Sequence, residues 1–112
     1  MLIATELVTY PRILLLDEPT SGLDSYNATI VMQILKDLAQ KRNCSIVCSI
    51  HQPKTAIYRM FDTLVLLWDG YTVYYGSAAE APQFFAQNGF KCPKYENPGD
   101  FMSKRMHLKS FY

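Results

Sequence analysis

The sequence predicts an α/β domain: a mainly parallel sheet flanked by helices, with a β-hairpin towards the C-terminus. Three observations predict it. Two short, almost wholly apolar runs, ILLL at residues 13–16 and SIVCSI at residues 45–50, bracket an amphipathic helical stretch, which is the order of a strand–helix–strand unit. Both runs end abruptly in polar residues, Asp17-Glu18 and His51-Gln52. Asp69-Gly70 lies between two further β-rich runs, a strong two-residue hairpin signal.

Leu2, Ile3, Leu7 and Val8 fit a helical period over residues 2–8, and Pro11 closes that segment by disfavouring helix at Tyr10. The continuous apolar run that follows suggests a strand buried on both faces. Asp24 or Ser25 is placed to cap a helix over residues 26–42. Ile30, Val31, Ile34, Leu35 and Leu38 form its apolar stripe, and Lys41 with Arg42 suits the negative end of its dipole.

A second strand over residues 45–50 stops at Pro53, which suits the first turn of a helix running to Met60. Residues 63–68 and 71–75 form the hairpin arms. Residues 77–88 read as a helix closed by Gly89, and residues 97–102 as a short capped turn or helix. Polar residues that interrupt such a pattern fall at the C-terminal ends of parallel strands, where open α/β sheets bind ligands. Asp17, Glu18 and His51 are therefore expected on one edge.

Composition narrows the function classes. At 112 residues, 49% hydrophobic and 19% charged, the chain has ordinary globular usage. Its formal net charge of +1 provides no bulk attraction to nucleic acid or anionic lipid, so nucleic acid is not an expected partner. Cys44, Cys48 and Cys92 form neither a CxxC pair nor a zinc-spaced set with histidine, and are expected as reduced, structural thiols of a cytosolic protein. MLIATELVTYPR has an acid at Glu6 and no basic leader, unlike a signal peptide. The longest apolar runs fall well short of the roughly 18 residues of a membrane span.

Taken in order, ILLLDEP, TSGLD and SIHQP resemble the second half of the nucleotide-binding domain of an ATP-binding-cassette (ABC) transporter. Asp17 and Glu18 match the Walker B aspartate and catalytic glutamate, Ser21, Gly22 and Asp24 match the D-loop, and His51 matches the switch histidine. Gln52-Pro53, the WDGYTVYYG hairpin and Asn97-Pro98-Gly99-Asp100-Phe101 are similar to the G subfamily of half-size lipid, pigment and drug exporters. The resemblance covers residues 1–102 as the C-terminal half of such a domain and leaves residues 103–112 as a basic tail.

The resemblance implies a partial P-loop NTPase fold, RecA-like and three-layered, lacking the Walker A strand. It implies ATP and Mg²⁺ as cofactors, with Asp17 holding Mg²⁺ through water, Glu18 polarising the attacking water and His51 on the γ-phosphate side. Phosphoryl transfer relies on such electrostatic positioning. Ser21, Gly22 and Asp24 would join Asp17 in binding the cofactor, with Asp24, on a turn freed by Gly22, reaching across a dimer toward the phosphate-binding loop of a second nucleotide-binding domain. The parent would carry a membrane domain and sit on the cytosolic side of a membrane, whereas this segment alone would be cytosolic.

No GxxxxGK[ST] phosphate loop and no LSGGQ-like signature occurs in these residues. The chain alone is therefore expected to be inactive, a fragment of a transporter ATPase. The alternative is a non-catalytic module pairing with an intact cassette. In the resembled fold the missing strand lies between the strands over 45–50 and 63–68, so that gap must be closed by another pairing or left as open edges. Lys104, Arg105, His107 and Lys109 suggest a solvated tail. Tyr71, Tyr74, Tyr75, Phe84, Phe85 and Phe90 are expected in hairpin and helix packing rather than as a base-stacking platform.

Overall fold

The computed structural model describes residues 11–106 and the backbone of residues 109–111. The helix expected over residues 2–8 lies outside the described residues. In chain order the elements are β1 (Ile13–Asp17), α1 (Ser25–Arg42), β2 (Ser45–Ser49), α2 (Thr55–Tyr58), β3 (Thr63–Trp68), β4 (Tyr71–Ser77), α3 (Ala81–Gln87), α4 (Pro98–Met106) and β5 (Lys109–Phe111). They form one five-stranded sheet in the order β1-β2-β5-β3-β4.

Local signals set several elements. The Asp24 carboxylate accepts from Asn27 N at 3.1 Å and caps α1, while Asn43 ends the helix in the left-handed region at φ 50°. Asp69 and Gly70 take φ 47° and 81°, the two positive values that a tight hairpin turn needs. Of the described pairings only β1–β2 is parallel, whereas β2–β5, β3–β4 and β3–β5 are antiparallel. The expectation of a mainly parallel sheet is thus corrected. The cause is β5, which enters antiparallel between β2 and β3.

That insertion also corrects the solvated tail. α4 continues past Met102 to Met106, and β5 then pairs Lys109, Ser110 and Phe111 with Leu67, Leu66 and Val65. Its strand pairing with β2 is limited to Ser49 and Phe111. The gap between β2 and β3 is therefore closed at the Ser49 end by the C-terminal segment. Farther down β2 a cavity of about 390 Å³ remains, bordered by Leu35, Cys44, Ile46, Cys48 and Phe61. Lys36 and Asp62, an ion pair at 2.6 Å, also border it.

β1 is buried on one face, not two. Leu14 is 6% exposed, but its neighbours Ile13 and Leu15 are 64% and 74% exposed. Side chains alternate along a strand, so Leu14 meets the α1 side while Leu15, in register with an exposed Val47 on β2, faces away. Among the described residues nothing covers that far face.

The buried stripe of α1 is rotated from the expected one. Ala28, Met32 and Leu35 are buried, with Val31 and Leu38 packed against them, and Ile30 and Ile34 are exposed. At 100° per residue the first five positions share one side and the two isoleucines fall on the other.

Two more boundaries move. α2 begins at Thr55, because Lys54 is extended at ψ 158° and the Pro53 carbonyl is taken by a side chain from elsewhere. α3 begins at Ala81, because the carbonyl of Ser77, the end of β4, is used by the Tyr74 hydroxyl and by Glu80 N.

The core joins Leu14, Met32, Leu35, Leu64, Leu66, Phe85 and Met102. Tyr74, Phe84 and Phe85 pack ring on ring, with centroids 5.1–6.0 Å apart, as expected. Tyr71 and Tyr75, by contrast, stand exposed on the outer face of β4.

Candidate functional site

The parallel register of β1 and β2 sets Asp17 directly opposite Ser49. The Ser49 hydroxyl donates to Asp17 Oδ1. The next backbone amide, Glu18 N, donates to both Ser49 O at 3.0 Å and Ser49 Oγ at 2.9 Å. Two adjacent acids at a strand end thus meet a hydroxyl and a polar backbone rather than a cation. Both acids are exposed, which keeps their charges hydrated and avoids the penalty of burying carboxylates.

Glu18 holds φ 45° and Gln52 φ 48°. The left-handed region disfavours non-glycine residues, and here it turns both chains sharply where β1 and β2 end. Such outliers collect at functional edges. His51 stands exposed two residues beyond Ser49, on the edge shared with Asp17 and Glu18.

The turn after Glu18 is closed by Ser21 N donating to Glu18 O at 3.0 Å and Leu23 N to Thr20 O at 3.3 Å. Gly22 takes φ 75°, with open space around the position of a Cβ, so glycine there serves backbone conformation alone. Ser21 and Gly22 are exposed. Asp24 is engaged as the α1 cap.

Three residues of this edge were missed by sequence reasoning. Ser49 holds Asp17. Lys54 donates its ammonium to Ser25 Oγ and ties the His51 loop to the start of α1. Asn97, 9% exposed, donates Nδ2 to the Pro53 carbonyl and accepts from Gly99 N at 2.9 Å. Ser49 had a signal, because two parallel strands of equal length bring their terminal polar residues together. Lys54 and Asn97 had none that was local.

Behind the edge, burial pushes the Cys48 thiol from its ordinary 9.0 up to about 11. Cys44 and Cys48 are buried among apolar side chains and behave as small hydrophobes. Among the described residues no group of three or more His, Cys, Asp or Glu could hold a metal ion. No helix among them is long and apolar enough to cross a membrane.

Comparison with known proteins supplies the family. A family model described as ABC-2 type transporter matches residues 51–106. ABC transporter G family member 1 of Dictyostelium discoideum is 52% identical over 99 residues, which cover 88% of this chain and 12% of that protein. ABC transporter G family member 11 of Arabidopsis thaliana is 50% identical over 98 residues, 88% of this chain and 14% of the relative. The broad substrate specificity ATP-binding cassette transporter ABCG2 of Bos taurus is 48% identical over 99 residues, 88% of this chain and 15% of the relative.

The chain therefore spans less than a sixth of the length of these relatives. The match also corrects the assignment of residues 1–102 to a nucleotide-binding domain. The matching model is that of the membrane component of ABC-2 transporters, and that domain assignment is withdrawn. Asp17, Glu18, Ser21, Gly22 and Asp24 precede the matched stretch, and His51 is its first residue.

Proposed function

The chain belongs to the ABC-2 type transporter family, and on that premise we propose that it is a segment of a G-subfamily subunit whose ATP hydrolysis drives export of lipid-like or other substrates. The observation that carries the proposal is the edge where Ser49 holds Asp17 and Glu18 against the end of β2, two residues before His51.

The donor set suits magnesium. Mg²⁺ takes one or two carboxylates, keeps several waters and completes its shell with substrate phosphates, so a lone Asp17 without a protein cage is adequate. Asp17 would hold the ion through water, and the bound ion supplies charge neutralisation at the phosphate oxygens. Glu18 orients and polarises the attacking water. His51 contacts the γ-phosphate side. Ser21, Gly22 and Asp24 form the turn that faces a second ABC subunit in a dimer.

On this reading the edge formed by β1 and β2 stands on the cytosolic side of the membrane that the parent crosses. These residues hold no GxxxxGK[ST] loop, whose backbone amides and lysine cradle phosphates. The isolated chain therefore neither binds MgATP tightly nor hydrolyses it.

The test is a chimera of the Dictyostelium G family member 1 transporter in which its matching 99 residues are replaced by this segment. The chimera is expected to hydrolyse MgATP, and Glu18→Gln to lower turnover by about 100-fold or more, the usual worth of a positioned general base. A folded chimera without turnover, or one indifferent to Glu18→Gln, overturns the proposal. The non-catalytic alternative predicts that inert result.

A further inference from the structure

The loop that carries His51 has no regular structure between Ser49 and Thr55, and its Gln52 sits in a left-handed conformation at φ 48°. Something must hold it. On its N-terminal flank, Ser49 is tied to Asp17 and Glu18 and pairs with Phe111 of β5. On its C-terminal flank there are two ties: Lys54 to Ser25 Oγ and the Pro53 carbonyl to Asn97 Nδ2.

These two ties differ in kind. Lys54 is exposed and reaches through a flexible stem, so water competes for its bond. Pro53 and Asn97 are both buried, and breaking a buried hydrogen bond strands a carbonyl and an amide without partners. Tyrosine and cysteine aside, Asn97 is also the one buried polar or charged residue among the described residues. Its oxygen, accepting from Gly99 N, fixes the orientation of the amide so that Nδ2 points at Pro53.

We propose that Asn97 is the positioning residue of the His51 loop, with α4 and β5 together forming a clasp that grips this loop on both flanks. The inference rests on the reading of His51 as the phosphate-side contact. It adds that the C-terminal segment sets where that histidine stands. A displacement of α4 would reach His51 through a single buried hydrogen bond.

The test uses the 112-residue chain and Asn97→Asp. That change keeps an oxygen for Gly99 N but sets a carboxylate oxygen against the Pro53 carbonyl in place of the donor, so the tie is broken and two acceptors meet in a buried place. Amide exchange at Tyr58 and Arg59, whose N–H groups donate to Lys54 O and Thr55 O at the C-terminal flank of the loop, is expected to rise at least tenfold, with exchange within α4 unchanged within about twofold. The His51 imidazole proton resonance, distinguished from His107 by its loss in His51→Gln, is expected to shift.

Unchanged exchange at Tyr58 and Arg59, an unmoved His51 resonance, or a rise spread equally over α4 overturns the clasp. Should Asn97→Asp fail to fold, Asn97→Ser makes the same comparison, since its hydroxyl can cap but is too short to reach Pro53. Neither readout involves nucleotide. Failure here is therefore distinguishable from failure of the functional proposal, which the Glu18→Gln chimera decides.

Discussion

The Ser49 hydroxyl donates to the Asp17 carboxylate across the β1–β2 pair, in the register that makes the two residues direct partners. The same oxygen accepts from Glu18 N at 2.9 Å, so one hydroxyl fixes both the first acid and the backbone of the second. Ser49→Ala removes both bonds. Glu18 N keeps its 3.0 Å bond to the Ser49 carbonyl, and the acids remain in water. The expected loss of stability in urea denaturation is accordingly small, about 1 kcal/mol or less. Turnover of the chimera, by contrast, is expected to fall at least tenfold and to return with Ser49→Thr. A stability loss several times larger would make Ser49 a packing residue instead.

Leu14 and Leu15 are neighbours in a run whose four residues look alike in sequence, yet they are 6% and 74% exposed. Leu14→Ala is expected to cost about 2–4 kcal/mol, the usual range for emptying a core leucine site. Leu15→Gln is expected to change stability by less than about 0.5 kcal/mol, because it removes little buried surface. Equilibrium denaturation of the two variants measures the contrast directly. Equal losses would mean that the face carrying Ile13, Leu15 and Val47 is covered after all.

That contrast also marks where sequence reasoning ends. Asp24 as a cap, Asp69-Gly70 as a turn and β3 over residues 63–68 were legible because each depends on a few adjacent residues. An apolar run, however, shows only that a strand is apolar, not whether a second layer covers it. β5 was illegible for a related reason: the mixed polarity of the HLKSFY stretch gives no strand signal, and its seat depends on a gap between β2 and β3 that only the whole fold defines. The site divides in the same way. Asp17, Glu18 and His51 were placed on one edge from strand order alone. Lys54 and Asn97 needed partners 29 and 44 residues away.

Cys48 makes the fold alkali-sensitive. Its thiol titrates near 9.0 in the unfolded chain and about 11 in the folded one, raised by burial. Between those values the folded state holds a proton that the unfolded state has lost, so stability falls as pH rises. The contribution is complete below pH 9 and gone above about 11. Urea midpoints measured from pH 8 to 11.5 should decline over that window, and less so in Cys48→Ala once its own packing loss is subtracted at pH 8. At pH 7.5 the native Cys48 should react with a thiol reagent far more slowly than the unfolded chain, since the thiolate is the nucleophile.

The C-terminal segment provides the last prediction, because a solvated tail and a sheet strand respond oppositely to its removal. β5 lies against Val65, Leu66 and Leu67 on one side and Ser49 on the other, so it covers the inner edge of β3. Deleting residues 107–112 uncovers backbone donors and acceptors along an apolar strand, and such an edge templates pairing with other chains. Amide protection at residues 65–67 should drop on the β5 side, while the β4 side of the hairpin keeps its pairing. Light scattering should rise with concentration in the truncated chain and not in the intact one. Removal of a merely solvated tail would leave both signals where they were. The truncated chain should also lose protection at Ser49, because the pairing of Phe111 with Ser49 holds the strand end from which the His51 loop departs.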